Sequence, residues 1–254
     1  MALLLYGGTL LAGEGEKKIA KDVPSFGILR APAPEAARSQ ALDWLKGVGK
    51  TDETTQKAFD AVWASEQTLL EKVTATLELG DADAKKLLAE TADPSTPAPQ
   101  AVPAPIKDAK KAAFYRANLA LAYAKALSNR RIYEEGLEAL KSVKPENVVD
   151  PSSFLFYKAV AEHALLLKTQ ADDTILRLLD DVVDAPERHK MVAALMHFDM
   201  QQWRDKDLGW ITRKMNNIER RLDLSRGGPK TQKMQKEVVA RLDELIKQLE
   251  KSGD

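Results

Sequence analysis

The 254-residue chain contains no cysteine. This absence excludes disulfide bridges, thiolate metal sites and cysteine nucleophiles together, and it leaves the redox compartment undetermined. The chain also lacks net charge, because 38 basic residues balance 38 acidic ones, so bulk charge favours neither nucleic acid nor an anionic membrane as a partner. No apolar run approaches the ~20 residues needed to cross a bilayer, and we therefore expect no membrane span.

The residues that are present favour a folded, all-α protein. A hydrophobic fraction of 44% is enough for a substantial core, and a charged fraction of 30% is typical of long, well-solvated helices. No stretch alternates with period two for long enough to predict a sheet, whereas helical periodicity begins at Glu35 and resumes after the proline-rich segment, from Asp108 to the end.

Changes in composition divide the chain into five parts. Residues 1–34 form an apolar start and an irregular lead-in, 35–91 an amino-terminal helical region, and 92–107 a proline-rich segment. A helical body over 108–207 and a carboxy-terminal helical hairpin over 208–254 follow. The five prolines between 94 and 105 exclude a helix or a central strand there. The segment is either a domain boundary or an ordered strap laid across the helices.

The amino terminus has two interpretations. Residues 2–13 carry no charge, and 14–18 turn abruptly polar, a pattern that resembles the apolar part of a secretory signal although no lysine or arginine precedes it. A remnant of such a signal predicts a periplasmic or secreted protein. The alternative is a buried strand or helix end in a cytoplasmic protein.

Capping residues predict several helix boundaries. Thr51 is the expected N-cap of one helix that runs to Gly80, where the glycine ends it. A short helix over 84–90 follows. In the body, Asp150 and Pro151 suit the N-cap and first position of a helix, and Pro186 is expected to open another.

One segment, 117–145, resembles the helix pair of tetratricopeptide repeats. Small residues lie where two helices must approach closely, and aromatic residues or leucines lie one turn away. The residues that match are Leu119, Ala120 and Tyr123 in the first helix and Tyr133, Gly136 and Leu137 in the second. The turn between the helices is about four residues longer than the family pattern, and a second pair over 154–182 matches more loosely.

This resemblance implies a concave face that binds peptides or partner proteins. The alternative is an irregular helical bundle with similar local packing. The stretches 163–179 and 213–249 also resemble uncharacterised bacterial all-helical proteins, a resemblance that implies no activity.

The carboxy-terminal hairpin is predicted from heptad spacing. Leu208, Ile211, Met215, Ile218 and Leu222 form the first seam, and Val238, Leu242, Leu245 and Leu249 form the second after a break at 225–229. Each seam spans little more than two heptads, so the helices must pack on each other, on the body or on a second copy.

Charge is unevenly distributed along the chain. Residues 134–187 contain twelve acidic and five basic side chains, whereas 213–236 contain eight basic and two acidic ones. These regions are either solvated faces or surfaces that attract each other, within one chain or between copies. Nucleic-acid binding is disfavoured, because the basic residues are expected on helix faces opposite the seam.

No catalytic, cofactor or metal signature emerges, so we expect a non-enzymatic interaction or scaffold protein whose partner is a protein or peptide, possibly itself. The candidate partner-binding residues are Tyr123, Tyr133, Arg213, Arg220 and Arg221. One alternative is an enzyme or ligand-binding bundle with a site around His163, His189 or His197 and nearby acids. Another is an extracytoplasmic structural protein.

Overall fold

The computed structural model describes residues 27–252, and this part of the chain contains twelve α-helices, one 3-10 helix and no strand. The all-α prediction is confirmed. The elements are α1 (Pro34–Gly47), α2 (Glu53–Ala64), α3 (Leu69–Gly80), α4 (Ala82–Ala92), α5 (Ala104–Lys107), α6 (Ala113–Asn129), α7 (Tyr133–Leu140), a 3-10 turn (Pro145–Asn147), α8 (Pro151–Ala164), α9 (Lys168–Asp180), α10 (Glu187–Gln201), α11 (Leu208–Asp223) and α12 (Pro229–Ser252). Residues 1–13, which have two interpretations from the sequence, lie outside the described residues.

The predicted single helix from 52 to 80 is wrong, because the chain turns back between α2 and α3. Asp52 caps α2 through the Thr55 amide, and Thr68 and Glu71 form a reciprocal capping box at the start of α3. The Trp63 indole N–H donates to the Thr76 hydroxyl at 3.1 Å across the two helices. A local capping box therefore overrides a continuous apolar pattern.

Gly80 has a different role from the predicted helix-ending glycine. It is the last residue of α3, and a Cβ built there would lie 2.4 Å from the Trp44 ring. The glycine therefore permits close contact between α3 and α1. Asp81 then caps α4 with its carboxylate.

The proline-rich segment lies against the helices, and the prediction that its prolines exclude a helix is wrong at its end. There α5 forms one turn with Pro105 at its second position, where the missing N–H donor is not needed. Its Val102 and Ile106 side chains are buried, and the same apolar core contains residues that precede and follow the segment. Arg130, at the end of α6, donates to the carbonyl oxygens of Thr91 and Thr96. The segment thus crosses one shared core.

The body is a succession of helices in which each packs on the next. Helix α6 packs on α7, α7 on α8, α8 on α9 and α9 on α10, while α3 and α4 cover α6 from the amino-terminal side. Asp150 caps α8 with Pro151 at its first position, as the sequence predicted. Helix α10 is the last helix of this succession.

The terminal hairpin has a small core of its own. Ile211 and Ile218 of α11 and Val238 of α12 are buried together, with Trp210, Met234 and Leu245 packed against them. The predicted seams are only half correct. Five of the predicted positions are exposed instead: Leu208, Met215, Leu222, Leu242 and Leu249.

Candidate functional site

A buried cluster of charged side chains attaches the terminal hairpin to the body. Arg220 of α11 donates to both carboxylate oxygens of Glu134, each at 2.9 Å. Arg221 also donates to Glu134, and Arg226 pairs with Glu135 at 2.9 Å. Arg220 and Arg221 lie in the last turn of α11, Arg226 follows that helix, and the glutamates lie in the first turn of α7. The cluster therefore joins elements that are 86 to 91 residues apart in sequence.

Backbone carbonyls extend this cluster to three connecting segments. Arg220 donates to the Arg131 carbonyl at 2.8 Å, and Arg226 donates to the Pro99 carbonyl at 2.8 Å. Asn217 accepts from Arg220 and donates to the Ala164 carbonyl at 3.3 Å. The hairpin is thereby held against the turn before α7, the end of α8 and the proline-rich segment.

The electrostatics of the cluster keep Glu134 ionised. Burial alone would raise the pKa of its carboxyl, but the hydrogen bonds and positive charges of Arg220 and Arg221 outweigh burial and lower that pKa to about 2. Arg220 and Arg221 are buried in this network, and these contacts lie within the chain. Their observed contacts are structural.

The other predicted partner-binding residues are also engaged within the chain. Tyr123 is only 1% exposed and belongs to the main core. Tyr133 is half-buried beneath the Arg220 guanidinium, 5.2 Å from its ring centroid. Arg213 lies over the Trp203 ring at 4.9 Å and donates to the Arg204 carbonyl at 3.3 Å. The structure brings Tyr133, Arg220 and Arg221 together and leaves Tyr123 in the core and Arg213 on the hairpin's flank.

The histidines lie at separate helix contacts. His163 pairs with Asp199 at 2.9 Å and His197 with Asp172 at 3.0 Å, each across two helices. His189 is buried, and its Nδ1 lies 3.0 Å from the Ser152 hydroxyl. Burial, reinforced by the charge of Arg188, lowers the pKa of His189.

Five concave regions of the described surface, of about 260 to 500 Å³, have linings without a histidine. Among residues 27–252, no group of three or more potential ligands could hold a metal ion, and no helix is long and apolar enough to span a bilayer.

Apolar side chains instead reach solvent on α10. Its inner face buries His189, Ala193 and Met200. Its outer face carries four large apolar side chains that are 39% to 66% exposed: Met191, Val192, Leu195 and Phe198. Their spacing of three and four residues forms one continuous stripe along the helix.

The sequence predicted a helix that opens at Pro186, but its two faces were not separated. The signal was available, because 189, 193, 196 and 200 form one row of the helix and 191, 195 and 198 form another. Because both rows contain apolar residues, a single neighbouring helix cannot cover all of these side chains. Only the packing reveals which row faces the core.

Comparisons with protein-family models, with curated proteins and with solved structures find no match to this chain. The tetratricopeptide resemblance accordingly stays a prediction.

Proposed function

We propose that the protein is a non-enzymatic scaffold that binds a helical segment of a partner protein on the outer face of α10. The observation that carries this proposal is the stripe of Met191, Val192, Leu195 and Phe198, large apolar side chains left in water on one helix face. Soluble monomers rarely expose a contiguous apolar surface of this kind without a binding role.

The position of α10 supports the proposal. In stacked helical arrays the terminal helix ordinarily has a polar outer face, since no further helix covers it. Here α10 ends such a succession with an apolar outer face. The chain then leaves this face, because α11 packs on α12 and is attached to the turn before α7 through Arg220 and Glu134.

The shape of the stripe favours a helix as the ligand. Anchors three and four residues apart along two turns are what an amphipathic helix presents to a groove or to another helix. A partner helix would continue the array in the same way that α10 packs on α9. Leu195, at the middle of the stripe, and Phe198, one turn beyond it, would form the main contacts.

The histidine-centred enzyme is less well supported. His163 and His197 each pair with one aspartate of a neighbouring helix, and His189 is buried against Ser152 and stacked on Phe156. These contacts account for the three side chains as helix-packing groups. A general base needs access to a substrate in a cleft.

The test combines crosslinking with purified binding. A photoreactive residue at Leu195 should crosslink a defined protein in cells of the source organism, whereas one at the exposed Lys57 of α2 should not. The purified partner should bind the wild-type chain and lose at least about tenfold in affinity for Leu195→Asp. Equal crosslinks at both positions, or unchanged affinity with helicity retained, would overturn the proposal.

A further inference from the structure

Helix α12 carries two heptad seams, an inner one that packs on α11 and an outer one whose side chains are exposed. The inner seam packs on α11 through Met234, Val238 and Leu245. The outer seam contains Val239, Leu242, Ile246 and Leu249, spaced by three, four and three residues, and these side chains are 38% to 71% exposed. A second seam with this spacing is the signature of a helix that packs on two neighbours.

The neighbouring helix extends the same apolar surface. Leu208, Met215 and Leu222 of α11 are seven residues apart and exposed. Met215 and Leu222 line a groove of about 440 Å³ between α11 and α12, with Val238 and Val239 on its other side. The hairpin therefore exposes one continuous apolar face made by both helices.

We infer that this face binds the same face of a second copy of the chain, with the two α12 helices antiparallel about a two-fold axis. In such a pair the core layers place Val239 against Leu249 of the second copy and Leu242 against its Ile246. A two-fold axis repeats both layers, so four apolar positions of each helix are covered. The inference is independent of the α10 site.

The charges beside the outer seam select this arrangement. Lys236, Asp243 and Glu250 are seven residues apart and follow the seam on the side away from α11. In the antiparallel pair, Lys236 lies beside Glu250 of the second copy, and symmetry makes this opposite-charge contact twice. The same register places Asp243 beside Asp243 of the second copy at the two-fold axis, so two attractive contacts stand against one repulsive one. A parallel pair would bring the charged row against the flank covered by α11, where it meets apolar side chains.

The antiparallel pair also covers the groove on α11. The two α11 helices lie on the same side of the pair, because both are attached to the flank opposite the charged row. Met215 and Leu222 of each copy then face the other copy, and the four helices form a bundle with one apolar core. At 24 residues, α12 is about 36 Å long, enough for the layers and both ion pairs.

The first test is the mass of the full-length protein in solution. Light scattering over about 1–100 μM, the range that resolves a micromolar Kd, should give twice the chain mass of 28.1 kDa. Ile246→Asp should give the single-chain mass at the same concentrations. The matched control is Val48→Asp, which introduces the same charge at an exposed apolar position of the α1 end and should keep the wild-type mass.

Charge exchange tests the register without touching the apolar core. Lys236→Glu and Glu250→Lys should each weaken dimerisation by about tenfold, because two attractive contacts become repulsive, and the double variant should restore it. A wild-type chain that is monomeric throughout overturns the inference. A dimer that Leu195→Asp dissociates and Ile246→Asp does not also overturns it. The same holds if the double charge variant dimerises no more tightly than either single variant.

Discussion

Arg220 and Glu134 form a bidentate ion pair across 86 residues of sequence, with both nitrogen–oxygen distances at 2.9 Å. The guanidinium is almost fully buried and the carboxylate nearly so. Taking two such charges out of water is costly, and the geometry repays the cost only while both partners are present. The pair therefore fixes the position of the terminal hairpin on the body.

Removing the negative charge of this pair should destabilise the protein strongly. Glu134→Gln leaves Arg220 and Arg221 buried without a counter-charge, and we expect a loss of about 3–5 kcal/mol in the free energy of unfolding. Chemical denaturation measures this loss. Glu138→Gln is the matched control, since Glu138 forms an exposed pair with Lys141 whose removal should cost under about 1 kcal/mol. Equal losses for the two variants would contradict a structural role for the cluster.

The same carboxyl should give the protein an acid-sensitive stability. The folded-state pKa of Glu134 is about 2, below its ordinary value of 4.5. The stabilisation is therefore fully present above about pH 4.5 and is lost as the pH falls towards 2. Its size is about 3 kcal/mol. Glu134→Gln should lack this part of the pH dependence when unfolding is followed between pH 2 and 6, and a curve parallel to that of the wild type would argue against it.

Local signals in the sequence predicted much of this fold. Asp150 and Pro151 specify a helix start by a side-chain acceptor and a fixed φ, and both act where they were expected. The unequal charge of 134–187 and 213–236 left two interpretations open, solvated faces or mutual attraction. The contacts of Arg220 and Arg226 with Glu134 and Glu135 show attraction within the chain. Short-range caps and opposite charges are readable because each depends on few residues.

Choices between equivalent faces could not be made from the sequence. Helix α12 has apolar residues in two overlapping registers, and the predicted seam joined Val238 and Leu245 of the inner one to Leu242 and Leu249 of the outer one. Tyr123 was expected on a binding face because an aromatic residue suits either an interface or a core. Which alternative holds depends on the helices that pack nearby, a long-range property.

Two glycines should respond in opposite ways to an added methyl group. At Gly80 a Cβ would lie 2.4 Å from the Trp44 ring, which is stacked on Tyr115, so Gly80→Ala should destabilise by about 1–3 kcal/mol. At Gly136 of α7 the nearest neighbour, Ala124, is at an ordinary 3.7 Å. Gly136→Ala should therefore stabilise by up to about 1 kcal/mol through helix propensity. Thermal unfolding of both variants measures these changes in stability. A change of the same sign at both positions would refute the packing argument.

Arg130 should control the order of the proline-rich segment. Its guanidinium donates to the carbonyls of Thr91 and Thr96, so Arg130→Ala should speed amide hydrogen exchange over 92–107 while α8 and α9 keep their protection. The side chain of the adjacent Arg131 is exposed and lies 3.9 Å from the Asp223 carboxylate. Arg131→Ala is thus the control. Equal amide hydrogen exchange over 92–107 in the two variants would show that Arg130 does not order the segment.

Two tyrosines of α6 should differ in what their hydroxyl groups contribute. Both are buried, and burial raises the pKa of each phenol, so both hydroxyls stay neutral. The Tyr115 hydroxyl donates to Asp81 at 2.8 Å, whereas the Tyr123 hydroxyl has no hydrogen-bond partner among the described atoms. A buried polar group without a partner costs about 1–3 kcal/mol.

Tyr123→Phe should therefore raise the free energy of unfolding by about 1 kcal/mol, and Tyr115→Phe should lower it by a similar amount. Urea denaturation of the two variants measures both changes on the same helix and for the same deleted atom. If Tyr123 belonged to a partner-binding face, its hydroxyl would be solvated in the isolated chain and its removal would leave stability unchanged. Stabilisation by Tyr123→Phe would instead be the result expected of a core residue whose aromatic ring, and not its hydroxyl, holds α6 in the body.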